Sequence, residues 1–229
     1  RGADTFWYIR RSSDAQPVLV FYGANFAPYF DIPTPGDFDG DGKTDIAVFR
    51  RSGTWFVRRS SDGGDTIVNH GQAGDVPLAA DFDGDGKCDF GLFRPTATTN
   101  NWIILQSSTN TVVNFTWGGG YAPFFDTPVP ADYDGDGKAD LAIWRGADSI
   151  WYIRPSATPN NPILDLWGAN YAPYNDIPTP GDYDGDGKAD IAVFRRTGTW
   201  FVKRSSNGSN LIQDQGQAGD VPLPANGVR

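Results

Sequence analysis

A repeated unit of nearly constant length constrains the fold of this chain more than any other feature. A tryptophan opens a strand-like apolar run five times, at Trp7, Trp55, Trp102, Trp151 and Trp200, so the spacing is 47 to 49 residues. A second β-like run, a Gly-rich connection, a Pro-bounded stretch, an Asp-rich loop and a third apolar run then follow. Four short strands per unit, without helical periodicity, predict an all-β chain built as a β-propeller of four-stranded blades.

The Asp-rich loop occurs in four of the units. Its pattern is Asp-x-Asp-Gly-Asp-Gly-Lys-x-Asp, and we number the copies loop 1 (37–45), loop 2 (81–89), loop 3 (132–140) and loop 4 (182–190). Carboxylates at positions 1, 3, 5 and 9 and a main-chain carbonyl at position 7 are hard oxygen donors on a flexible loop. Such donors suit Ca²⁺ better than the strict octahedron of Mg²⁺.

Two alternatives to a calcium loop of this kind need weighing. An EF-hand would place a bidentate Glu at position 12 between two helices, but the chain contains no Glu and position 12 is apolar in every copy. A metal-free Asp-Gly turn could also close a hairpin. Four carboxylates within nine residues repel one another strongly unless a cation neutralises them, which favours the metal site.

The same loops explain the acidity of the chain. The net charge is −9, and 16 of the 28 acidic residues, all of them Asp, lie in the four loops. Four bound Ca²⁺ ions would bring the net charge to about −1. The acidity therefore predicts cation sites and not an acidic face for a basic partner. The chain also has no Lys/Arg-dense stripe for nucleic acid and no apolar run long enough to span a membrane.

The sequence contains few residues or motifs typical of an enzyme active site. Its one histidine, His70, has Gln215 as its counterpart in the sister repeat, and its one cysteine, Cys88, fills the loop position held elsewhere by Thr or Ala. We expect Cys88 to be a small buried residue and not a nucleophile. No nucleophile elbow, phosphate-binding loop or His/Cys metal cluster occurs, so no catalytic residue is predicted.

The Asp loop followed by a short apolar strand, as in Ile46–Phe49, Leu141–Trp144 and Ile191–Phe194, resembles the FG-GAP/VCBS repeat family. Propellers of that family are similar to those of integrin α subunits, and the resemblance covers essentially the whole chain. It implies that the loop joins the innermost strand A to strand B and binds Ca²⁺, about four ions in all. It assigns ligand roles to Asp37, Asp39, Asp41, Lys43, Asp45, Asp81, Asp83, Asp85, Lys87, Asp89, Asp132, Asp134, Asp136, Lys138, Asp140, Asp182, Asp184, Asp186, Lys188 and Asp190, each Lys through its main-chain carbonyl only.

The repeat can be divided into blades. We expect a single domain over residues 1–229, with blades at about 33–71, 76–117, 128–168 and 178–217 and a fifth made of 221–225 with 5–23. In that fifth blade the N- and C-terminal strands would close the ring, but a B strand and an Asp loop are missing. Alternatively, the chain is a fragment of a six- or seven-bladed ring, or a neighbouring chain donates the missing strand.

Three long connections between blades are rich in aromatic residues and lie opposite the Asp loops. They predict a possible ligand face made of Phe26, Tyr29, Phe30, Tyr121, Phe124, Phe125, Tyr171 and Tyr174. Arg50, Arg51, Arg94, Arg145, Arg195 and Arg196 would end the B strands near the same face. Aromatic rings beside arginine could hold a sugar or a protein segment. Alternatively, the rings pack between blades and the arginines are solvated strand ends.

Together these features predict a secreted, extracellular or cell-surface calcium-binding propeller, because millimolar Ca²⁺ outside cells suits such loops. The lack of Met and of a signal peptide fits a processed or excised segment. The expected function is a non-catalytic binding or adhesion scaffold for a protein or glycan. The alternative is self-association, as a structural subunit of an extracellular assembly or filament completed by strand exchange at the unfinished fifth blade. An enzyme is the least favoured class.

Overall fold

The structure is a computed structural model, and it describes residues 6–10, 14–24, 30–119, 126–169 and 176–222. All regular secondary structure in these residues is β, and sixteen of the strands form four antiparallel four-stranded sheets. Each sheet is made of consecutive strands, so every connection within it is a simple turn or loop. We call these sheets blades 1 to 4 and name their strands A to D in chain order.

Blade 1 contains β3 (Ile32–Pro33), β4 (Ile46–Arg50), β5 (Thr54–Arg58) and β6 (Asp65–Asn69). Blade 2 contains β7 (Val76–Ala80), β8 (Asp89–Pro95), β9 (Asn100–Leu105) and β10 (Val112–Thr116). Blade 3 contains β11 (Asp126–Pro128), β12 (Leu141–Arg145), β13 (Ile150–Arg154) and β14 (Ile163–Leu166). Blade 4 contains β15 (Ile177–Pro178), β16 (Ile191–Arg195), β17 (Thr199–Lys203) and β18 (Asn210–Asp214). A separate two-stranded sheet pairs β1 (Phe6–Arg10) with β2 (Pro17–Phe21).

Burial follows the position of a strand in its blade. The B strands β12 and β16 are buried over their first four residues, on both faces, as expected for a sheet covered on either side. The C strands of blades 1 to 3 alternate in burial, and their tryptophans Trp55, Trp102 and Trp151 are fully buried. The D strands lie at the outer edge and keep several apolar side chains exposed. The core therefore runs through the inner part of each blade.

Blades 2, 3 and 4 each cover the tryptophan of the blade before them. Trp55 of blade 1 meets the ring of Phe90 of blade 2 with ring centroids 5.3 Å apart. Trp102 of blade 2 belongs to one apolar cluster with Leu141 of blade 3, and Trp151 of blade 3 to another with Ile191 of blade 4. This repeated face-to-face packing of successive sheets confirms the predicted all-β propeller class.

The two-stranded sheet holds the place of a C and a D strand. The indole of Trp7 donates to the carbonyl of Tyr22 at 3.1 Å, just as Trp55 donates to the carbonyl of His70 at 3.0 Å. Val221 and Pro222, expected in the closing A strand, are not in a strand, and residues 223–229 lie outside the described part. Closure by a fifth blade, and the single-domain organisation that depends on it, stay predictions. No helix capable of crossing a membrane occurs among the residues that the structure describes.

Candidate metal centres

Each Asp loop is the connection between strands A and B of its blade. In three blades an isolated bridge closes the base of the loop, pairing Gly36 with Asp45, Ala131 with Asp140 and Gly181 with Asp190. The glycines at positions 4 and 6 take left-handed backbone conformations; in loop 1 φ is 81° at Gly40 and 79° at Gly42. Only glycine adopts such angles without strain, so these two positions let the chain wrap around the carboxylates.

The aspartate at position 1 organises the loop from within. Asp37 accepts hydrogen bonds from the main-chain N–H of Gly40 at 2.7 Å, Asp41 at 3.2 Å and Gly42 at 2.8 Å. The same three donors face position 1 in loops 2, 3 and 4. The loop conformation is therefore encoded by its own spacing, because one carboxylate satisfies three N–H groups that the tight bend leaves without a partner.

The aspartate at position 9 is buried in every loop and anchors it to the rest of the blade. In loop 3, Asp140 accepts the N–H of Tyr133 at 2.9 Å and that of Ser156 at 2.6 Å. Burial raises the pKa of Asp140 to about 7, and the charges of Asp134 and Asp132 push it in the same direction against these two hydrogen bonds. Burial likewise raises the pKa of Asp89 to about 6. The native site thus disfavours the negative charge that position 9 carries at neutral pH.

The structure brings together part of each predicted ligand set. In loops 1 to 3 the carboxylates at positions 1, 3 and 5 each place one oxygen within 4.8 Å of the others; in loop 4 the group is formed by positions 1, 3 and 9. Three hard oxygens gathered in this way fit a divalent cation, and each of the four groups could hold a metal ion. The position-9 carboxylates of loops 1 to 3 stand outside these groups, with their oxygens engaged by main-chain N–H groups.

Serines on the turn between strands C and D donate hydrogen bonds to the loop carboxylates. The repeat and loop motifs of the sequence did not predict them. Ser60 donates to Asp41 at 2.9 Å and Ser61 to Asp39 at 2.6 Å. Equivalent bonds join Ser108 to Asp83, Ser156 to Asp136, Ser205 to Asp186 and Ser206 to Asp184. The hydroxyl of Ser107, by contrast, is buried without a hydrogen-bond partner. The repeated Ser-Ser or Ser-Ala pair after strand C is the signal that could have revealed them.

The opposite end of the blades treats aspartate differently. The residue before or at the start of strand A is an aspartate with a buried side chain, and an arginine at or next to the end of strand B donates two hydrogen bonds to it. The pairs are Asp31–Arg50, Asp75–Arg94, Asp126–Arg145 and Asp176–Arg195, with Nε–Oδ1 distances of 2.6 to 3.0 Å. The expectation that these four arginines are solvated strand ends is therefore wrong. The register of strands A and B places them beside buried carboxylates.

The predicted ligand face lies largely outside the described residues. Phe26, Tyr29, Tyr121, Phe124, Phe125, Tyr171 and Tyr174 all fall there. Phe30 is described; its side chain is exposed, and its carbonyl accepts a hydrogen bond from Arg51 at 3.2 Å. Near it, a cleft of about 170 Å³ is lined by Tyr22, Asp31, Arg50 and Phe56, where the two-stranded sheet meets blade 1. That is smaller than the roughly 300 Å³ at which small-molecule pockets begin.

The fold and the loops together define a β-propeller whose A–B loops could hold metal ions. The model of the FG-GAP-like repeat matches residues 37–92 and 132–193, just over half of the chain. The chain therefore belongs to the FG-GAP-like repeat family, as its resemblance predicted. The family and the fold support a binding scaffold of non-catalytic type in general.

Solved structures with some similarity include a protein from Lactobacillus plantarum, with 15% identity and a TM-score of 0.47 over 93% of this chain and 65% of that one. A second is BBS1N in complex with ARL6DN, soaked with lead, with 12% identity and a TM-score of 0.46 over 87% and 60%. A third is the V. cholerae biofilm matrix protein Bap1, with 21% identity and a TM-score of 0.33 over 79% and 30%. The chain thus spans less than two thirds of the length of each. No curated protein sequence matches it.

Proposed function

We propose that the protein is a secreted calcium-binding β-propeller that acts as a non-catalytic scaffold for a protein or glycan ligand. The observation that carries the proposal is the gathering of three carboxylate oxygens within 4.8 Å in each of four successive A–B loops. A bound cation would supply positive charge there. The chain would hold it through the aspartates at positions 1, 3, 5 and 9 and the carbonyl of the lysine at position 7.

The role of the ions in this proposal is structural. In loop 1 the carboxylates of Asp39 and Asp41 also accept the hydroxyls of Ser61 and Ser60 on the C–D turn. The A–B loop and the C–D turn of one blade are thereby tied through the same carboxylates. Neutralising the charge of these carboxylates would relieve their mutual repulsion and keep both turns in place. A rigid ring of blades is a suitable base for binding loops at the other end.

An extracellular location follows from the same argument. Calcium loops in extracellular modules bind in the range of about 10⁻⁴ to 10⁻³ M, which matches the millimolar Ca²⁺ outside cells. Loops that need filling for stability would therefore be filled there without a high-affinity site.

Calcium stoichiometry tests the metal part of the proposal. Equilibrium dialysis followed by elemental analysis is expected to find about four Ca²⁺ per chain, with Mg²⁺ in equal concentration displacing little of it. The paired change Asp134→Asn and Asp136→Asn should remove one ion. The matched control is Asp62→Asn, since Asp62 is an exposed carboxylate on a C–D turn that pairs with Arg59. Protein without bound calcium would overturn the proposal.

The ligand is proposed to bind at the end of the blades opposite the Asp loops. Exposed Phe30 and the cleft beside Arg50 and Phe56 support this, together with the aromatic content of the three long connections. A glycan array and a panel of extracellular proteins would be screened with the calcium-loaded chain. Hits should be lost on changing Tyr29, Phe125 or Tyr174 to Ala and kept on changing exposed Ile212 to Ala. Hits that survive all three aromatic changes would place the ligand elsewhere.

A second candidate function is assembly with other chains. Among the described residues, the D strands β6, β10, β14 and β18 pair only with the C strand of their own blade, and they keep apolar side chains such as Ile67, Leu166 and Ile212 exposed. An open strand edge of this kind can accept a strand from another molecule. Size-exclusion chromatography with light scattering, repeated over a wide concentration range, separates the two functions. Growing oligomers would favour assembly, and a strict monomer would eliminate it.

A further inference from the structure

Neighbouring Asp loops contact each other directly along the row of blades. The main-chain N–H of the residue at position 8 donates to the carbonyl of the position-1 aspartate in the preceding loop. The bonds are Cys88 to Asp37, Ala139 to Asp81 and Ala189 to Asp132, each 2.6 Å long. Main-chain hydrogen bonds are usually about 2.9 to 3.0 Å, so these three contacts are short. Loops 1 to 4 thus form one connected series.

The peptide group that makes each contact also carries a predicted metal-ligating oxygen. The N–H of Cys88 and the carbonyl of Lys87 are the two ends of one peptide group. In a planar trans peptide these ends point in opposite directions. Since the N–H points at Asp37 of loop 1, the Lys87 carbonyl points away from that loop. The Lys87 carbonyl is the main-chain oxygen proposed to bind the metal ion of loop 2. Asp37 is proposed to bind the metal ion of loop 1 through its carboxylate.

The lysine side chain adds a second contact between the same two loops. The aliphatic stem of Lys87 lies over Gly40 of loop 1 so closely that a methyl group placed there would come within 2.9 Å of it. Lys138 covers Gly84, and Lys188 covers Gly135, at 3.0 Å in both cases. In loop 4, no described atom lies within 4 Å of that position at Gly185. Lys43 of loop 1 is mostly exposed and pairs with Asp41 of its own loop.

We propose that the four cation sites are coupled neighbour to neighbour, through the peptide unit between positions 7 and 8 and the lysine stem above the preceding loop. The inference rests on the proposed calcium binding. A cation at the carbonyl end of this peptide makes its N–H a stronger donor, because linked hydrogen bonds polarise one another. The firmer hydrogen bond holds the main-chain carbonyl of the position-1 aspartate in the preceding loop. Linkage makes the effect reciprocal, so filling either site favours the other.

The arrangement of the contacts makes the coupling linear. Loops 2 and 3 each have two neighbours, whereas loops 1 and 4 have one each among the described residues. We expect filling of one site to raise the affinity of an adjacent site about fivefold, the lower end of typical couplings. The calcium isotherm of the whole chain should then be steeper than that of four independent sites.

The test is calcium titration of the whole chain by isothermal calorimetry, comparing an inner with an outer loop. Asp83→Asn with Asp85→Asn disables loop 2, and Asp184→Asn with Asp186→Asn disables loop 4. Each pair should remove one ion. Disabling loop 2 isolates loop 1 from the others and should lower the Hill coefficient further than disabling loop 4. Circular dichroism at saturating calcium verifies that both variants fold.

Two single lysine variants provide a test that leaves every carboxylate in place. Lys87→Ala removes the stem over Gly40 but keeps the Lys87 main-chain carbonyl, and it should reduce the steepness of the isotherm. Lys43→Ala removes the same charge from a loop whose lysine covers no preceding loop among the described residues. It should reduce the steepness less than Lys87→Ala does.

The outcomes separate the inference from the function on which it rests. If no calcium binds, the proposed function fails, and the inference fails with it. If about four ions bind with a Hill coefficient of 1, and each disabled loop only removes one ion, the sites are independent. The coupling is then wrong while calcium binding stands. Equal effects of Lys87→Ala and Lys43→Ala would also overturn the role given to the lysine stem.

Discussion

The two ends of the blades neutralise their aspartates in opposite ways. At the end where strand B meets strand C, each buried carboxylate has a partner of its own: Asp126, for example, accepts both Nε and Nη2 of Arg145 at 2.7 and 3.2 Å. At the Asp-loop end, three carboxylates crowd within 4.8 Å and are met by N–H and hydroxyl groups, with a single lysine per loop. One end carries its counter-charge in the chain, whereas under the proposed function the other would take it from solution as bound cations.

This difference predicts at which end of the blades the stability of the fold should depend on the metal ions in solution. A bidentate Arg–carboxylate pair is strong and geometrically specific, and it needs nothing from the solvent. Clustered carboxylates without a cation repel one another. Burial adds a cost at position 9 beside the cluster, as the raised pKa of Asp140 shows. The Asp-loop end should therefore respond to metal, whereas the Asp–Arg pairs should not.

The largest effect is expected from removing calcium. At a free concentration 100 times the dissociation constant, each site adds about 2.7 kcal/mol, and 1 kcal/mol moves the melting temperature of a chain of this size by about 2 to 4 °C. EGTA should therefore lower the melting temperature by about 15 °C or more, and excess Ca²⁺ should restore it. Differential scanning calorimetry measures this. An unchanged melting curve would remove the distinction between the two ends.

The next largest effect should come from breaking one Asp–Arg pair. Arg50→Ala leaves the carboxylate of Asp31 buried with the N–H of Ala24 as its remaining partner among the bonds described, at a cost of about 3 to 5 kcal/mol. Arg51→Ala is the matched control, because Arg51 is exposed and, among the described residues, donates to the carbonyl of Phe30; it should cost less than about 1 kcal/mol.

The cost of Arg50→Ala should be the same with calcium and with EGTA, as urea unfolding under both conditions would show. A loss that appears only in EGTA would mean that the two ends are not independent.

A smaller effect is expected from the serines around the loops. Ser156→Ala removes a hydroxyl that donates to the Asp136 carboxylate, and we expect a loss of about 1 to 2 kcal/mol. Ser107 occupies the equivalent place in blade 2, but its hydroxyl has no partner, so Ser107→Ala should be neutral or slightly stabilising. Urea unfolding of both variants tests this, and equal losses would show that the serine bonds do not support the loops.

The smallest effect is a pH dependence at the opposite end. Burial lowers the pKa of His70, so the folded chain resists a proton that the unfolded chain takes up near pH 6.5. The contribution of His70 to stability should therefore fall as the pH drops below about 6.5. The variant His70→Gln has at position 70 the residue that the sister repeat has at Gln215. It should reduce the change in melting temperature between pH 7.5 and 5.5 by about 1 to 2 °C. An identical pH profile would exclude this contribution.

Local spacing was enough to predict much of the fold and the core of the candidate sites. The regular tryptophans and short apolar runs predicted an all-β propeller, which the structure and the family confirm. The gathering of Asp37, Asp39 and Asp41 could be anticipated because the three lie within five residues, and glycines at positions 4 and 6 permit only a tight bend. Contacts of this kind depend only on residues that are close in the sequence, so they do not require any strand pairing.

Contacts across blades or along a full hairpin could not be predicted in the same way. Asp31 and Arg50 stand 19 residues apart, and only the register of β3 with β4 brings them together. The sequence alone therefore predicts neither the pair nor its burial, and it leaves Arg50 as either a ligand-face residue or a solvated strand end. Ser60 reaches Asp41 only because the C–D turn folds back beside the A–B loop. The bonds that join successive loops depend on how one blade packs against the next. The sequence by itself determined what each loop offers a cation, and the packing of the blades decided which groups surround it, because those partners meet only when separate sheets dock.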